Sequence, residues 1–221
     1  CEKVCPVNHP VELRSPLRAI AMISKDKEDL MSSASGGASS VFSRTVIEQG
    51  GVVYGCVENS YKDIAHRRIT TLSDLYKLKG SKYVQSDIND IYRQVKQDLG
   101  DGKTVLFTGT PCQNGGLKNF LRKDYPNLYL VDLCCHGVPS QEILRRDCEY
   151  LLRYAVNKPT GEAKVTFRVK YPYKENTDEP FSVFWGGFIV DGDGHRLKIR
   201  GKRDEFLRDD YITAFMSGLI F

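Results

Sequence analysis

The chain lacks a long apolar run. The longest, residues 181–190, is interrupted by Gly186 and Gly187. A spanning helix needs roughly 18 consecutive apolar residues, so a helical membrane span is excluded. The chain also lacks a strong charge of one sign. Its 32 basic and 28 acidic residues leave only +4, too mixed a balance to argue for nucleic acid. No Cys-x-x-Cys pair is present, which argues against a structural zinc module. Gly102-Lys103-Thr104 is no P-loop, because Gln97 stands where a glycine is needed and the triplet precedes a strand pattern. No basic-then-apolar leader is visible. What remains is 41% hydrophobic and 27% charged, a globular composition that excludes disorder and collagen-like structure. The 221 residues suffice for one sizeable domain or two small ones. The chain begins at Cys1 without an initiator Met and ends on the apolar run 214–221. Termini usually fray in polar sequence, so the expectation is that protein continues beyond both ends.

Periodicity predicts an α/β chain: a parallel-sheet βαβ core followed by a mixed α+β region. Residues 18–23 read as a short buried strand. The small-residue stretch 32–40 leads into an amphipathic helix carrying Val41, Phe42, Val46 and Ile47, which Gly50-Gly51 ends. Residues 52–57 and 66–70 are the next strands. Ser73 caps a short helix, 79–85 form a loop, and Asp87 caps a helix to about Leu99. Residues 104–108 form a strand, and Gly109-Thr110-Pro111 turns into a helix with proline at its first position. Residues 128–133 form the following strand, and Ser140 caps another helix. Strand, helix and strand within about thirty residues read as a βαβ unit. Further on, 165–169 is a strand. Segments 181–190 and 196–199 flank Asp191-Gly192-Asp193-Gly194, which is hairpin turn chemistry. Helix returns from Glu205, and the seam between the two halves is expected at 157–161.

Seven cysteines stand at positions 1, 5, 56, 112, 134, 135 and 148. An odd number in a chain of this length points to metal or redox chemistry for any cluster, not to a disulfide framework. Cys56 and Cys148, in a strand pattern and a helix pattern, suit buried free thiols. Cys112 falls in the first turn of its helix, and Cys134 and Cys135 follow a strand. Ligands in parallel α/β sheets bind outside the carboxyl ends of strands. Cys112 and Cys135 are therefore expected to face one crevice, the alternative being two unrelated core thiols. A helix N-terminus favours a thiolate, the form that binds metal or attacks. Cys112 with His136 as base would suit acyl transfer. No third orienting group is visible, however, and Pro111 is unlike the Gly-x-Ser-x-Gly elbow. A hydrogen-bonded turn is the plainer role for His136.

Ser35-Gly36-Gly37 at a helix start suits a phosphate. Lys79-Gly80-Ser81-Lys82-Tyr83 adds two cations and a ring able to clamp a pyrophosphate or stack on a base, or simply to be solvated. Cys1-Glu2-Lys3-Val4-Cys5-Pro6 matches the end of a bacterial ferredoxin run, Cys-x-x-x-Cys-Pro.

Assembled in order, five stretches resemble the coenzyme F420 hydrogenase/dehydrogenase beta-subunit family. They are Ser35-Gly36-Gly37, Gly50-Gly51-Val52-Val53-Tyr54-Gly55, the run from Lys79 to Ser86, the run from Val105 to Gln113, and the run from Val131 to Ser140. The resemblance covers most of residues 15–141, and its last two stretches are the most specific. It implies residues 1–14 as the tail of a ferredoxin-like 4Fe-4S module, 15–100 as the family's N-terminal region and 101–221 as its C-terminal region, truncated. It further implies a cytoplasmic iron–sulfur flavoprotein oxidoreductase with FAD (or FMN) and 4Fe-4S clusters. Such a protein passes electrons between a deazaflavin or another soluble carrier (NAD(P)H or ferredoxin), its flavin and its clusters, with redox partner subunits in some relatives. Carried over by position, Cys112 and Cys135 would be ligands of the cluster beside the flavin, and Cys1 and Cys5 of the ferredoxin-like clusters. A further family Cys-x-x-Cys pair falls past a segment like 214–221. Ser35, Gly36, Gly37, Gly80, Ser81, Lys82, Tyr83, Thr108 and Gly109 are the flavin-site candidates, and Cys134 is assigned to packing. A non-catalytic relay subunit and a cysteine-nucleophile enzyme using Cys112 are the alternatives.

Overall fold

A computed structural model describes residues 2–12, 15–150, 152–153, 164–171, 182–190 and 196–198. The described chain divides into two compact units. The first holds the described residues within 1–57, 65–79 and 87–136, and the second those within 58–64, 80–86 and 137–221.

In chain order the elements are α1 (Lys27–Ser32), α2 (Ala38–Glu48), β1 (Val52–Ser60), β2 (Asp63–Ile69), α3 (Ile91–Gly100), β3 (Val105–Gly109), α4 (Pro111–Leu121), β4 (Leu128–Asp132), α5 (Gln141–Tyr150), β5 (Lys164–Tyr171), β6 (Ser182–Val190) and β7 (Arg196–Lys198). Short 3-10 turns cover Glu2–Val4 and Leu72–Leu78.

The main sheet has the order β2-β1-β3-β4. β1 pairs in parallel with β3, and β3 with β4. Both faces of the central strands are covered, as a parallel sheet requires. Val52, Tyr54, Val105 and Phe107 pack with Ile91, Val95 and Leu99 of α3 and with Leu117 and Leu121 of α4. Val53 and Leu106, one residue out of phase, pack with Val46 and Ile47 of α2, and with Ile69 and Leu75. Strand side chains alternate between faces, so the uninterrupted apolar runs in β1 and β3 supply two cores at once. The α/β class expected from the sequence is the one found.

In the second unit, β5, β6 and β7 form an antiparallel sheet in that order. Leu144, Cys148, Leu152, Val165 and Phe167 are buried. Cys148 is thus the core thiol its sequence setting suggested, and Cys56 is half-buried in β1.

Four expectations need correction. Residues 18–23 are not a buried strand: the segment has no regular secondary structure, and Leu17, Ile20 and Ile23 are exposed. The short helix is a 3-10 turn starting at Leu72, with Thr71 in the cap position and not Ser73. α3 starts at Ile91 because Asn89 adopts a left-handed conformation (φ 46°) before Asp90. Asp87 is instead engaged with β2, where its carbonyl accepts the His66 N–H at 2.8 Å. Cys134 is exposed, so it does not pack. Cys1, the seam at 157–161, the hairpin turn at 191–194 and the helix from Glu205 lie outside the described residues.

Candidate functional site

The site expected at the strand ends is built by β3, β4 and the turn into α4. Gly109 and Asp132 are register partners. The Leu133 N–H donates to Gly109 O at 3.0 Å, carrying the ladder one residue further. The carboxyl ends of the two strands are therefore level. Cys112 leaves one end three residues past Gly109, and Cys135 leaves the other three residues past Asp132. Both thiols are exposed, as is Cys134.

The turn into α4 is closed by a capping box. The Thr110 N–H donates to Gln113 Oε1 at 3.0 Å, capping the helix start. A Cβ at Gly109 would meet Phe107 Cε1 at 2.9 Å and Gln113 Oε1 at 3.1 Å, so the cap itself requires glycine there. Cys112 Sγ lies 3.1 Å from Thr110 Oγ1. Tyr92 OH donates to Gln113 O at 2.7 Å, and burial, together with the nearby Cys112, pushes its phenol up to about 12. Asn114 ties α4 to the end of β4, its Nδ2 donating to Val131 O at 3.1 Å and to Asp132 Oδ1 at 2.6 Å.

Behind the strand ends, buried His66 places Nε2 3.0 Å from Thr108 O, and its ring stacks on Phe107. Thr108 Oγ1 and Asn114 Oδ1 are buried without a hydrogen-bond partner among the described residues. His136 is exposed. Asn114 and His66 were not singled out by sequence reasoning. The available signal was a polar residue on an otherwise inward face, at Asn114 beside Leu117 and at His66 within a strand.

The glycine loop before α2 belongs to the first unit. Gly37 is the N-cap of α2 at φ 84°, and α2 has no side-chain cap. A Cβ at Gly36 would sit 2.7 Å from Met22 O, and Ser24 N donates to Gly36 O at 2.7 Å. Beside this helix start lies the buried carboxylate of Asp29, which the sequence did not flag. It accepts Lys79 Nζ at 2.6 Å and Ser40 Oγ at 2.5 Å. Burial pushes this carboxyl up, but the hydrogen bonds from Lys79, Ser40 and Ser24 outweigh it and hold it at about 2. Lys79 also donates to Ser32 Oγ at 2.6 Å. Its ammonium is therefore committed to Asp29, and a phosphate at this helix end would share it with a carboxylate whose charge Lys79 balances.

Gly80, Ser81, Lys82 and Tyr83 belong to the second unit. Gly80 takes φ 83°, and an added Cβ there would meet nothing within 4 Å. The Tyr83 ring meets Phe167 edge-on at 5.6 Å. Glu58 accepts the Val165 N–H at 2.6 Å. Burial pushes the Glu58 carboxyl up, against the opposing pull of that N–H, Lys82 and Lys164. Lys82 thus neighbours a carboxyl group in its own unit.

Thiolates are the usual ligands of iron–sulfur centres. Cys112 and Cys135 would supply at most two thiolates of a four-thiolate set. Among the described residues no three His, Cys, Asp or Glu side chains converge to hold a metal ion. Among them, too, no helix is long and apolar enough to cross a membrane.

Residues 102–202 match the family described as the C terminus of the coenzyme F420 hydrogenase/dehydrogenase beta subunit. The fold is similar to that of a chain in the xenon-derivatized F420-reducing NiFe hydrogenase complex from Methanosarcina barkeri, with a TM-score of 0.50 at 20% identity. The likeness covers 80% of this chain and 57% of that one, and at this identity it concerns the fold. No curated protein matches the chain.

Proposed function

We propose, from the premise that the chain belongs over residues 102–202 to the coenzyme F420 hydrogenase/dehydrogenase beta-subunit family, that it is part of an iron–sulfur flavoprotein oxidoreductase. One observation carries this reading. Inside the matched segment, two exposed thiols, Cys112 and Cys135, stand just past level carboxyl ends of neighbouring parallel strands.

In this reading Cys112 and Cys135 would hold a 4Fe-4S centre, and Cys1 and Cys5 would serve ferredoxin-like centres. FAD (or FMN) would be held by Ser35, Gly36 and Gly37, by Gly80, Ser81, Lys82 and Tyr83, and by Thr108 and Gly109. A bound flavin accepts a hydride and releases single electrons, and iron–sulfur centres take electrons one at a time.

The chain's own residues bind and orient. The α2 N-terminus, without a side-chain cap, offers backbone N–H groups to a phosphate. Lys79 neutralises Asp29 there, so the helix end keeps its affinity for an anion. Lys82 supplies a cation, and Tyr83, braced on Phe167, supplies a ring face. The cap formed by Thr110 and Gln113 fixes the backbone from which Cys112 projects.

The electron partner is a soluble carrier: a deazaflavin such as coenzyme F420, NAD(P)H or ferredoxin. Redox partner subunits are proposed because the similar structure is that of a hydrogenase complex. The cytoplasm is the proposed location.

The test is an anaerobic absorbance spectrum of the full-length protein after reconstitution, before and after dithionite, with iron analysis. Flavin and iron–sulfur bands that bleach together are expected, and Cys112→Ser should lose iron, since a hydroxyl is a poor ligand for a soft-ligand site. A protein that takes up neither iron nor flavin would overturn this reading in favour of a cysteine nucleophile.

A further inference from the structure

The segment that carries Cys5 lies on α4. The Cys5 N–H donates to Glu2 O at 3.3 Å, and the His9 N–H donates to Cys5 O at 2.8 Å, folding residues 2–9 into a compact turn. Asn119 Nδ2 donates to Val4 O at 3.3 Å and to His9 O at 2.8 Å. A side-chain amide has two N–H donors, and here both leave the helix to bracket Cys5 from either side.

Pro6 fills a notch at Gly115, where an added Cβ would meet Pro6 Cβ at 3.0 Å and Val11 Cγ2 at 3.7 Å. Glycine is a poor residue for a helix interior. The close approach of Pro6 explains its presence at 115. Gly115 and Asn119 follow Cys112 by three and seven residues, which places all three on one helix face. Pro6 therefore rests about one turn, roughly 5 Å along the axis, from the level of Cys112.

We propose that Gly115 and Asn119 are positioning residues: together they form a seat on α4 that holds the Cys5 segment in fixed register with Cys112. The consequence for electron transfer rests on the reading of Cys5 and Cys112 as ligands of two iron–sulfur centres. With that reading, the seat sets the separation between the centres. A helix face is a suitable ruler, because its hydrogen-bonded backbone does not stretch, whereas a loop of this length held only at its ends would wander.

The test begins without any cofactor. In the metal-free full chain, alkylation of Cys5 by iodoacetamide is followed by mass on the tryptic peptide 4–14, with Cys112 as the internal reference. Asn119→Ala and Gly115→Val should each speed Cys5 alkylation about tenfold, the scale of losing one or two hydrogen bonds. Cys112 should change less than about twofold, because it is already exposed. Asn119→Gln, which keeps both donors, should restore most of the protection. Should Gly115→Val fail to fold, Gly115→Ala serves, since alanine strengthens the helix while still pressing on Pro6.

The same variants are then loaded with iron and reduced, and the magnetic coupling between centres is read by electron paramagnetic resonance. Coupling should weaken at unchanged iron content. A Cys5 rate equal to the parent's in both variants overturns the seat. A variant with freed Cys5 but parental coupling overturns the positioning role. A parent chain that takes up no iron removes the iron–sulfur reading and with it the proposed consequence for electron transfer, while the alkylation rates still decide the seat.

Discussion

Asp98 shows how much one buried side chain organises. It lies in α3, yet it faces inward, accepting Tyr54 OH at 2.6 Å, Arg68 Nε at 2.7 Å and Nη2 at 3.0 Å, and Lys103 Nζ at 2.8 Å. Burial pushes its carboxyl up, but the bonds from Arg68, Lys103 and Tyr54 win and hold it well below the usual carboxylate range. Removing one partner from such a set leaves the others uncompensated. Asp98→Ala is expected to cost about 3 kcal/mol in urea unfolding. A loss under about 1 kcal/mol would mean that water screens the set. The sequence hinted at this role, since position 98 shares the apolar face of Ile91, Val95 and Leu99. It could not name the partners, because Tyr54 and Arg68 come from other strands. Asp29 was hidden for the same reason: its cation, Lys79, lies fifty residues away. The thiols were easier to read, because motif and strand-end placement are local. Cys134 was misjudged because burial depends on what covers a residue, and nothing described covers it.

At the scale of elements, junctions matter more than the elements they join. The α2–β1 junction is the tightest. A Cβ at Gly51 would come within 2.6 Å of Val46 Cγ1, 2.7 Å of Thr104 O and 2.8 Å of Val46 O. Two of these are backbone atoms, which cannot turn aside. Gly51→Ala should therefore cost about 2–3 kcal/mol by overpacking, read from the shift in urea midpoint. A neutral result would show that α2 can slide on the sheet. Gly50, one residue earlier, is needed for its φ of 77° and not for lack of space. The glycine pair was legible as a helix stop, but the close approach at Gly51 was not, because it depends on Val46 in the last turns of α2 and on Thr104, which immediately precedes β3. Strands with partners nearby in sequence, such as β3 and β4, were legible from their apolar runs. Residues 18–23 show the same apolar pattern and form no strand, since a strand needs a neighbour and hydrophobic spacing does not supply one.

For the whole molecule, the buried carboxylates set the response to acid. Asp29 is held at about 2 and Asp98 lower still relative to its usual range, against about 3.9 in an unfolded chain. A group with a lowered folded pKa stabilises above its unfolded value and loses that contribution as pH falls through the folded one. Stability should therefore be retained above about pH 5 and decline from about pH 4 toward 2. Glu58 acts in the opposite sense, because burial raises its folded pKa and protonation relieves that cost. Urea midpoints of parent and Asp29→Asn between pH 6 and pH 3 check this: the acid loss should be smaller in the variant. An identical decline in both would remove Asp29 from the account.

By itself the sequence determined the α/β class, the βαβ unit from β3 to β4 and the position of Cys112 in the first turn of α4. It also determined the family resemblance that residues 102–202 bear out. These follow from hydrophobic period, turn chemistry and motif order, all carried by residues close along the chain. Only the tertiary structure decided that Asp29 takes Lys79, that Asp98 gathers three donors and that Asn119 and Gly115 seat the Cys5 segment on α4. Apart from Lys103, five residues from Asp98, these contacts join residues from thirty to more than a hundred positions apart. Which polar group meets which, and where a Cβ has no room, is settled by packing between elements, and no local pattern encodes it.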